Sequence, residues 1–268
     1  MFDYHTHTKI SFDSKTEPID MIRAAEKAGL KEICFTDHYD SVKGKTVDKV
    51  AFRIENYAAA YDSLASDKLK IKRGVEMGLT DFNVAAVSDV LSKRRFDFVI
   101  GSIHHINGID PYEKRYWDNI TVAEGFARYL ETVYECVKIH NDYDVLGHLT
   151  YVAKSPNSPT HEPLIYENYR EIIDAILEEV IKRGKGIELN TSGIDRIGEP
   201  LPSKKILTRY AELGGKIITL NRNIALLLVD YPRYSPRRCN PFKASRLGIY
   251  HAYRCSYPHI LGGSCNLP

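Results

Sequence analysis

Short apolar runs alternate with longer amphipathic ones through most of the chain, and that alternation predicts βα units laid on a largely parallel sheet. A first strand at Phe2–Tyr4 runs into a polar loop. Thr16 is placed to cap a helix with Pro18 in its first turn, Ile19, Ile22, Ala25 and Ala28 at helical spacing, and Gly29 to stop it. The strand EICFT comes next at Glu32–Thr36, then a helix from about Phe52 to Ala65 and a strand at Lys70–Val75. A helix from about Asn83 to Lys93 precedes the strand at Phe96–Ser102. Long helices from about Thr121 to His140 and from about Ile165 to Arg183 lead to DVLGH and GIELNTSG, and a helix near Lys204 to Leu213 feeds KIITL. About seven strand-helix repeats result, with no linker long enough to separate domains; SPNSPTHEP at Ser155–Pro163 reads as a surface loop. The expected fold is α/β, a single closed or nearly closed (β/α) barrel.

The chain has 268 residues, 43% of them hydrophobic and 27% charged, as in a water-soluble globular protein. The longest aliphatic run, Ile224–Val229, is too short to span a bilayer. The N-terminal MFDYHTHT has neither the basic nor the apolar region of a secretory signal, and five unevenly placed cysteines suit a reducing cytoplasm. A formal net charge of +2 conceals an asymmetry: residues 1–220 hold 30 Lys and Arg against 34 Asp and Glu, whereas residues 221–268 hold seven against one. That tail also carries Cys239, Cys255 and Cys265. It reads either as a basic arm for nucleic acid or an acidic partner, or as a segment foreign to the domain that precedes it.

In parallel βα architectures the loops after the strands converge on one mouth, so the residues just past each strand carry the chemistry. His5 and His7 stand after the first strand, Asp37 and His38 after the second, Glu76 after the third, His104 and His105 after the fourth, and His148 after the fifth. His5 and His7 share a side of an extended segment because side chains alternate with period two, and two such imidazoles can reach one cation. Nitrogen and oxygen ligands without thiolate suit Zn, Mn or Fe better than a structural cysteine-type zinc site. His140, at a helix end, His161, His251 and His259 are read as bystanders, and Cys34 and Cys136 as small buried hydrophobes.

HTHT at His5–Thr8, TDH at Thr36–His38, GVE at Gly74–Glu76, GSIHH at Gly101–His105 and GH at Gly147–His148 resemble the PHP (polymerase and histidinol phosphatase) family over about residues 1–220. GSIHHINGIDPY and GIELNTSGI look most like its stand-alone histidinol-phosphate phosphatases. The resemblance implies a distorted (β/α)₇ barrel with up to three divalent ions that hydrolyses a phosphate monoester. His5 and His7 match ligands of a first metal, and Glu76 the carboxylate bridging it to a second. His104 and His148 complete the second site, and Asp13 and His38 match ligands of a third. Glu76 and His104 then stand at the catalytic centre, where clustered cations make hydroxide available near neutral pH for in-line attack on phosphorus. Arg196, in the loop after GIELN, reads either as a phosphate clamp or as a solvated loop arginine, and Lys154 is a second candidate of that kind. The expected partner is a small phosphomonoester rather than nucleic acid or a membrane.

The family's last motif, GSDAH-like, supplies an Asp to the first metal and a His to the third. Here its positions fall on Asn221, Arg222, Asn223, Ile224 and Ala225, which offer neither. The charge reversal, the cysteine enrichment and the lost motif begin at one point. They lead to the expectation that residues 221–268 come from a shifted reading frame or an equivalent sequence fault, leaving residues 1–220 as the metallophosphatase barrel. Two alternatives remain: a non-catalytic module of this family with a basic binding tail, and a phosphoesterase of the family acting on nucleotides.

Overall fold

Eight parallel strands form one sheet in the computed structural model, which describes residues 2–41, 51–215 and 217–219. They are β1 (Phe2–Thr6), β2 (Glu32–Phe35), β3 (His38–Asp40), β4 (Lys70–Gly78), β5 (Phe98–Ser102), β6 (Val145–Leu146), β7 (Gly186–Leu189) and β8 (Ile217–Thr219). The order is β1-β2-β4-β5-β6-β7-β8, with β3 beside β4. Every strand pairing is parallel, as right-handed βα crossovers require.

β2 and β3 are two halves of one strand. Glu32 faces Lys70 and Phe35 faces Arg73, and after a two-residue break His38 faces Glu76 and Asp40 faces Gly78 in the same register. The break turns Thr36 and Asp37 to other partners. Thr36 N–H donates to the Thr6 carbonyl at 2.9 Å, and the Asp37 carboxylate accepts Thr8 N–H at 2.6 Å and the Tyr61 hydroxyl. The expected strand EICFT thus ends one residue early and resumes. Counting the halves together gives the seven strands expected, curled into an open barrel in which no pairing joins β1 to β8 among the described residues.

The helices are α1 (Pro18–Lys27), α2 (Ile54–Tyr61), α3 (Val84–Lys93), α4 (Val122–Ile139), α5 (Arg170–Lys182), α6 (Ile194–Ile197) and α7 (Lys204–Glu212). α1 begins later than its sequence suggests: Glu17 rather than Thr16 is the N-cap, without a side-chain cap bond, and Pro18 fills the first turn where a missing N–H costs nothing. Its buried face is Pro18, Met21, Ile22 and Ala25, so Ile19 lies outward. Gly29, at φ +70°, ends it as expected. α4 starts at a reciprocal capping box between Thr121 and Glu124 and buries Phe126, Tyr129, Leu130, Val133 and Val137. These apolar stripes close the main core against the sheet, a small second cluster forms around Ile100 and Val145, and the polar residues gather at the strand ends. No helix among the described residues is long and apolar enough to cross a membrane.

Candidate metal centre

The strand ends deliver their side chains to one buried carboxylate. Glu76, on β4, is wholly buried, and its two oxygens face different imidazoles. Oε2 lies 3.0 Å from His5 Nε2, 3.0 Å from His7 Nε2 and 3.4 Å from His38 Nδ1. Oε1 lies 2.8 Å from His148 Nε2 and 3.2 Å from His104 Nε2, and accepts the Ser102 hydroxyl at 2.7 Å. His5 and His7 stack with ring centroids 5.1 Å apart, as period-two alternation at the end of β1 dictates. Asp13, in the loop after β1, stands 2.9 Å from His7 Nδ1 and 3.6 Å from His38 Nε2. All seven residues named from the sequence as ligands therefore meet in one cluster.

Two further carboxylates belong to it that sequence reasoning passed over. Asp40 on β3 sits 2.9 Å from His104 Nδ1 and 3.2 Å from His38 Nδ1. Glu188 on β7 sits 2.7 Å from His5 Nδ1 and accepts His148 N–H at 2.8 Å and Asn190 Nδ2–H at 2.9 Å. Each had a signal. Asp40 lies two residues beyond His38 in TDHYD and so on the same strand face, and Glu188 is a lone charge between Ile187 and Leu189.

Charge balance sets the protonation of this cluster. Burial works to lower the His5 imidazole, but Glu188 and Glu76 outweigh it and raise it to about 9. His7 and His38 are raised against the same desolvation by Asp13, Glu76 and Asp40, and His104 well above its usual value by Asp40 and Glu76. His148 is the exception: burial, aided by neighbouring His104, takes it down to about 4 despite Glu76. Burial would raise Glu76, Asp40, Asp13 and Glu188, yet their imidazole partners hold all four carboxyls below the usual range. The cluster thus sets buried carboxylates against imidazoles whose hold on a proton is strengthened at all but His148, and divalent cations compete with protons for such places.

The residues present fit such cations. His7 Nε2, His38 Nδ1 and Asp40 Oδ2 are buried and make no aligned hydrogen bond, although each lies within 3.2 Å of an oppositely charged group. Polar atoms that converge without pairing point at a common guest. Three compact triads of ligand atoms result: His5, Glu76 and His148; His7, His38 and Glu76; His38, Asp40 and His104. The first two share Glu76 and join it to two imidazoles each, the donor chemistry of catalytic zinc, whereas the carboxylate of the third, Asp40, is already engaged with His104 Nδ1 at 2.9 Å.

Of the two phosphate-clamp candidates, Lys154 is nearer. Its ammonium donates to Ser192 Oγ at 2.9 Å and lies 5.8 Å from the centre of the Tyr151 ring, which packs in turn against His104 and His148. Arg196 is exposed on α6, which packs against the 3₁₀ turn Tyr151–Lys154 that carries Lys154. His105 is buried with Nδ1 3.9 Å from Asp40. His140 is no exposed cation at a helix end: it is buried, held below its usual pKa by that burial, and its Nε2–H donates to the Thr80 carbonyl at 2.7 Å. Cys34 and Cys136 are buried free thiols raised by desolvation, as befits core residues. Asn221–Ala225 and the basic tail lie outside the described residues.

The PHP domain family model matches residues 3–192. The chain is 34% identical over 224 residues to a probable histidinol-phosphatase of Clostridium acetobutylicum, covering 82% of this chain and 84% of that one. It is 31% identical over 233 residues to the histidinol-phosphatase of Lactococcus lactis, covering 85% and 86%. Among solved structures, that of the Lactococcus lactis histidinol phosphate phosphatase complexed with zinc, L-histidinol and phosphate superposes with a TM-score of 0.71 at 25% identity, over 94% of this chain and 95% of that one. Similarity over most of the chain, together with a centre to which the strand-end motifs bring their side chains, leads to one conclusion: the chain belongs to the PHP domain family.

Proposed function

We propose that this protein is a metal-dependent phosphomonoesterase that hydrolyses L-histidinol phosphate to L-histidinol and phosphate, with up to three divalent ions (Zn, Mn or Fe). The observation that carries the reading is the two-faced Glu76, with His5 and His7 at one oxygen and His104 and His148 at the other. The names of the relatives and the ligands of the Lactococcus lactis structure support the substrate. His5, His7 and Glu76 would hold a first cation, Glu76, His104 and His148 a second, and Asp13 with His38 a third. Bound there, such cations acidify water and neutralise phosphoryl charge.

The chain's own residues do the rest. Glu76 and His104 line the reacting centre, Ser102 fixes Glu76, and the ring of Tyr151 packs against His104 and His148. Lys154 and Arg196 meet the phosphate oxygens, Arg196 by its planar fork. Two buried free thiols accord with a cytoplasmic setting.

The departure at Asn221–Ala225 favours a second reading, in which loss of the final Asp and His lowers metal affinity and turnover of this particular chain. One experiment separates the possibilities. The purified chain is assayed for metal content and for hydrolysis of histidinol phosphate and a panel of nucleotides, before and after chelation. Metal-dependent turnover of histidinol phosphate supports the proposal, slow turnover with incomplete metal supports the impaired enzyme, and a nucleotide preference overturns the substrate. Neither metal nor turnover leaves a non-catalytic module with a basic tail.

A further inference from the structure

We propose that Asp40 and Glu188 are positioning residues that set which ring nitrogen His104 and His5 turn toward the cations. The proposal rests on the metal-centre reading and deepens it.

A carboxylate only accepts hydrogen bonds, so an imidazole nitrogen held against an outer carboxylate keeps its proton, and where a cation takes the place at the other nitrogen, that nitrogen supplies the lone pair. Asp40 Oδ1 stands 2.9 Å from His104 Nδ1, and Glu188 Oε1 stands 2.7 Å from His5 Nδ1. The nitrogens left over both aim at the centre: His104 Nε2 lies 3.2 Å from Glu76 Oε1 and His5 Nε2 3.0 Å from Glu76 Oε2. One outer carboxylate therefore serves each face of the bridging residue. Glu188 has a second tie as well, accepting the His148 backbone N–H at 2.8 Å, so it steadies ligands on two strand ends, while the other Asp40 oxygen lies 3.2 Å from His38 Nδ1 without an aligned bond.

The backbone has been shaped around them. Asp40 faces Gly78 across the β3–β4 pairing, and a Cβ at position 78 would come within 2.0 Å of Asp40 Oδ1. A Cβ at position 147 would come within 2.4 Å of Ser102 Oγ and 3.5 Å of Glu188 Oε2. Glycine at position 78 thus admits Asp40, whereas glycine at 147 makes room for Ser102 Oγ, the donor to Glu76, and meets Glu188 only at ordinary contact distance. Such partners fix ring orientation and raise ligand basicity, and their loss typically costs about 10–100-fold in metal affinity.

The test uses the full chain with ¹⁵N-labelled histidine, loaded with zinc. Its first readout is the ring tautomer by long-range ¹H–¹⁵N correlation: His5 and His104 should carry hydrogen on Nδ1 and zinc on Nε2, and the opposite arrangement at both overturns the proposal without any variant. The second readout is zinc affinity by chelator competition. Asp40→Ala and Glu188→Ala should each bind zinc about 10–100-fold more weakly. Asp40→Asn and Glu188→Gln, which keep an accepting oxygen, should preserve the tautomers and restore much of that loss. Alanine variants with parental affinity and tautomers defeat the positioning role, as do variants whose weaker binding comes only with a lower melting temperature of the metal-free protein and unchanged tautomers. Failure of the parent to bind zinc would instead overturn the metal-centre reading and the proposal with it.

Discussion

Ser102 donates its hydroxyl proton to Glu76 Oε1 at 2.7 Å, so the central carboxylate is fixed from the neighbouring strand. Ser102→Ala should leave the fold intact and weaken zinc binding by about tenfold, at the lower end for such partners, as read by chelator competition. Glu76→Gln removes the anion shared by both faces. It should cost more than about 100-fold in bound metal and reduce turnover to background.

The pH response of the metal-free protein can be derived from His5. Its folded value of about 9 lies above its ordinary 6.5, so the folded state binds the extra proton, and the stabilisation is fully present below pH 6.5 and lost as pH rises through 9. His7, His38 and His104 shift in the same direction. Melting temperatures of chelated protein should therefore fall between pH 6.5 and 9, while zinc affinity rises over the same window because binding expels those protons. A melting temperature that climbs across the window in the chelated protein would contradict this charge balance.

Lys154 and Arg196 should divide binding from chemistry. With a charged hydrogen bond worth roughly 1.5–3 kcal/mol, Lys154→Ala or Arg196→Ala should raise KM for the phosphomonoester by about 10- to 100-fold. Metal content, measured on the same preparations, should not change. An unchanged KM for Arg196→Ala would mark it as a solvated surface arginine of α6.

Gly78→Ala tests the space around Asp40 directly. With a new Cβ at 2.0 Å from Asp40 Oδ1, overpacking should destabilise the protein by about 1–3 kcal/mol. Weaker zinc binding should accompany the lower melting temperature, whereas Gly184→Ala, where nothing lies within 4 Å of a new Cβ, should change zinc binding little.

The tail poses a question for the nucleotide sequence. If residues 221–268 arise from a frame shift, one of the other two frames after codon 220 should encode a Gly-Ser-Asp-x-His segment, and its absence from both would dispose of the idea. The double substitution Asn223→Asp with Ala225→His should raise metal content if the backbone there runs as in the family.

The strand ends are legible in the sequence because imidazoles rarely cluster after successive strands by chance, and His5, His7, His38, Glu76, His104 and His148 are found that way, whereas Asp13 is reached only through the family resemblance. Asp40 and Glu188 are harder to see. A carboxylate inside a short strand gives no motif of its own, so the faint signals of Asp40 beside His38 and of a lone Glu188 among aliphatics gain meaning only from their partners across the sheet. The break between β2 and β3 is hidden for a related reason: local propensity runs smoothly through EICFT, and the interruption is imposed by Thr6, Thr8 and Tyr61. Helix bodies are readable from their apolar spacing, but the start of α1 is not, since Thr16 has the right chemistry for a cap and Pro18 sets the geometry.

His5 and Glu188 are separated by 183 residues of chain yet touch at 2.7 Å. So long-range a contact costs closure entropy before it rewards the chain, and pairing of the intervening strands shortens the loop left to close. The contact therefore forms only once β1 and β7 both stand in the sheet. Metal uptake by this protein would serve as a record that folding has run to its end, with the first strand and the seventh signing it together.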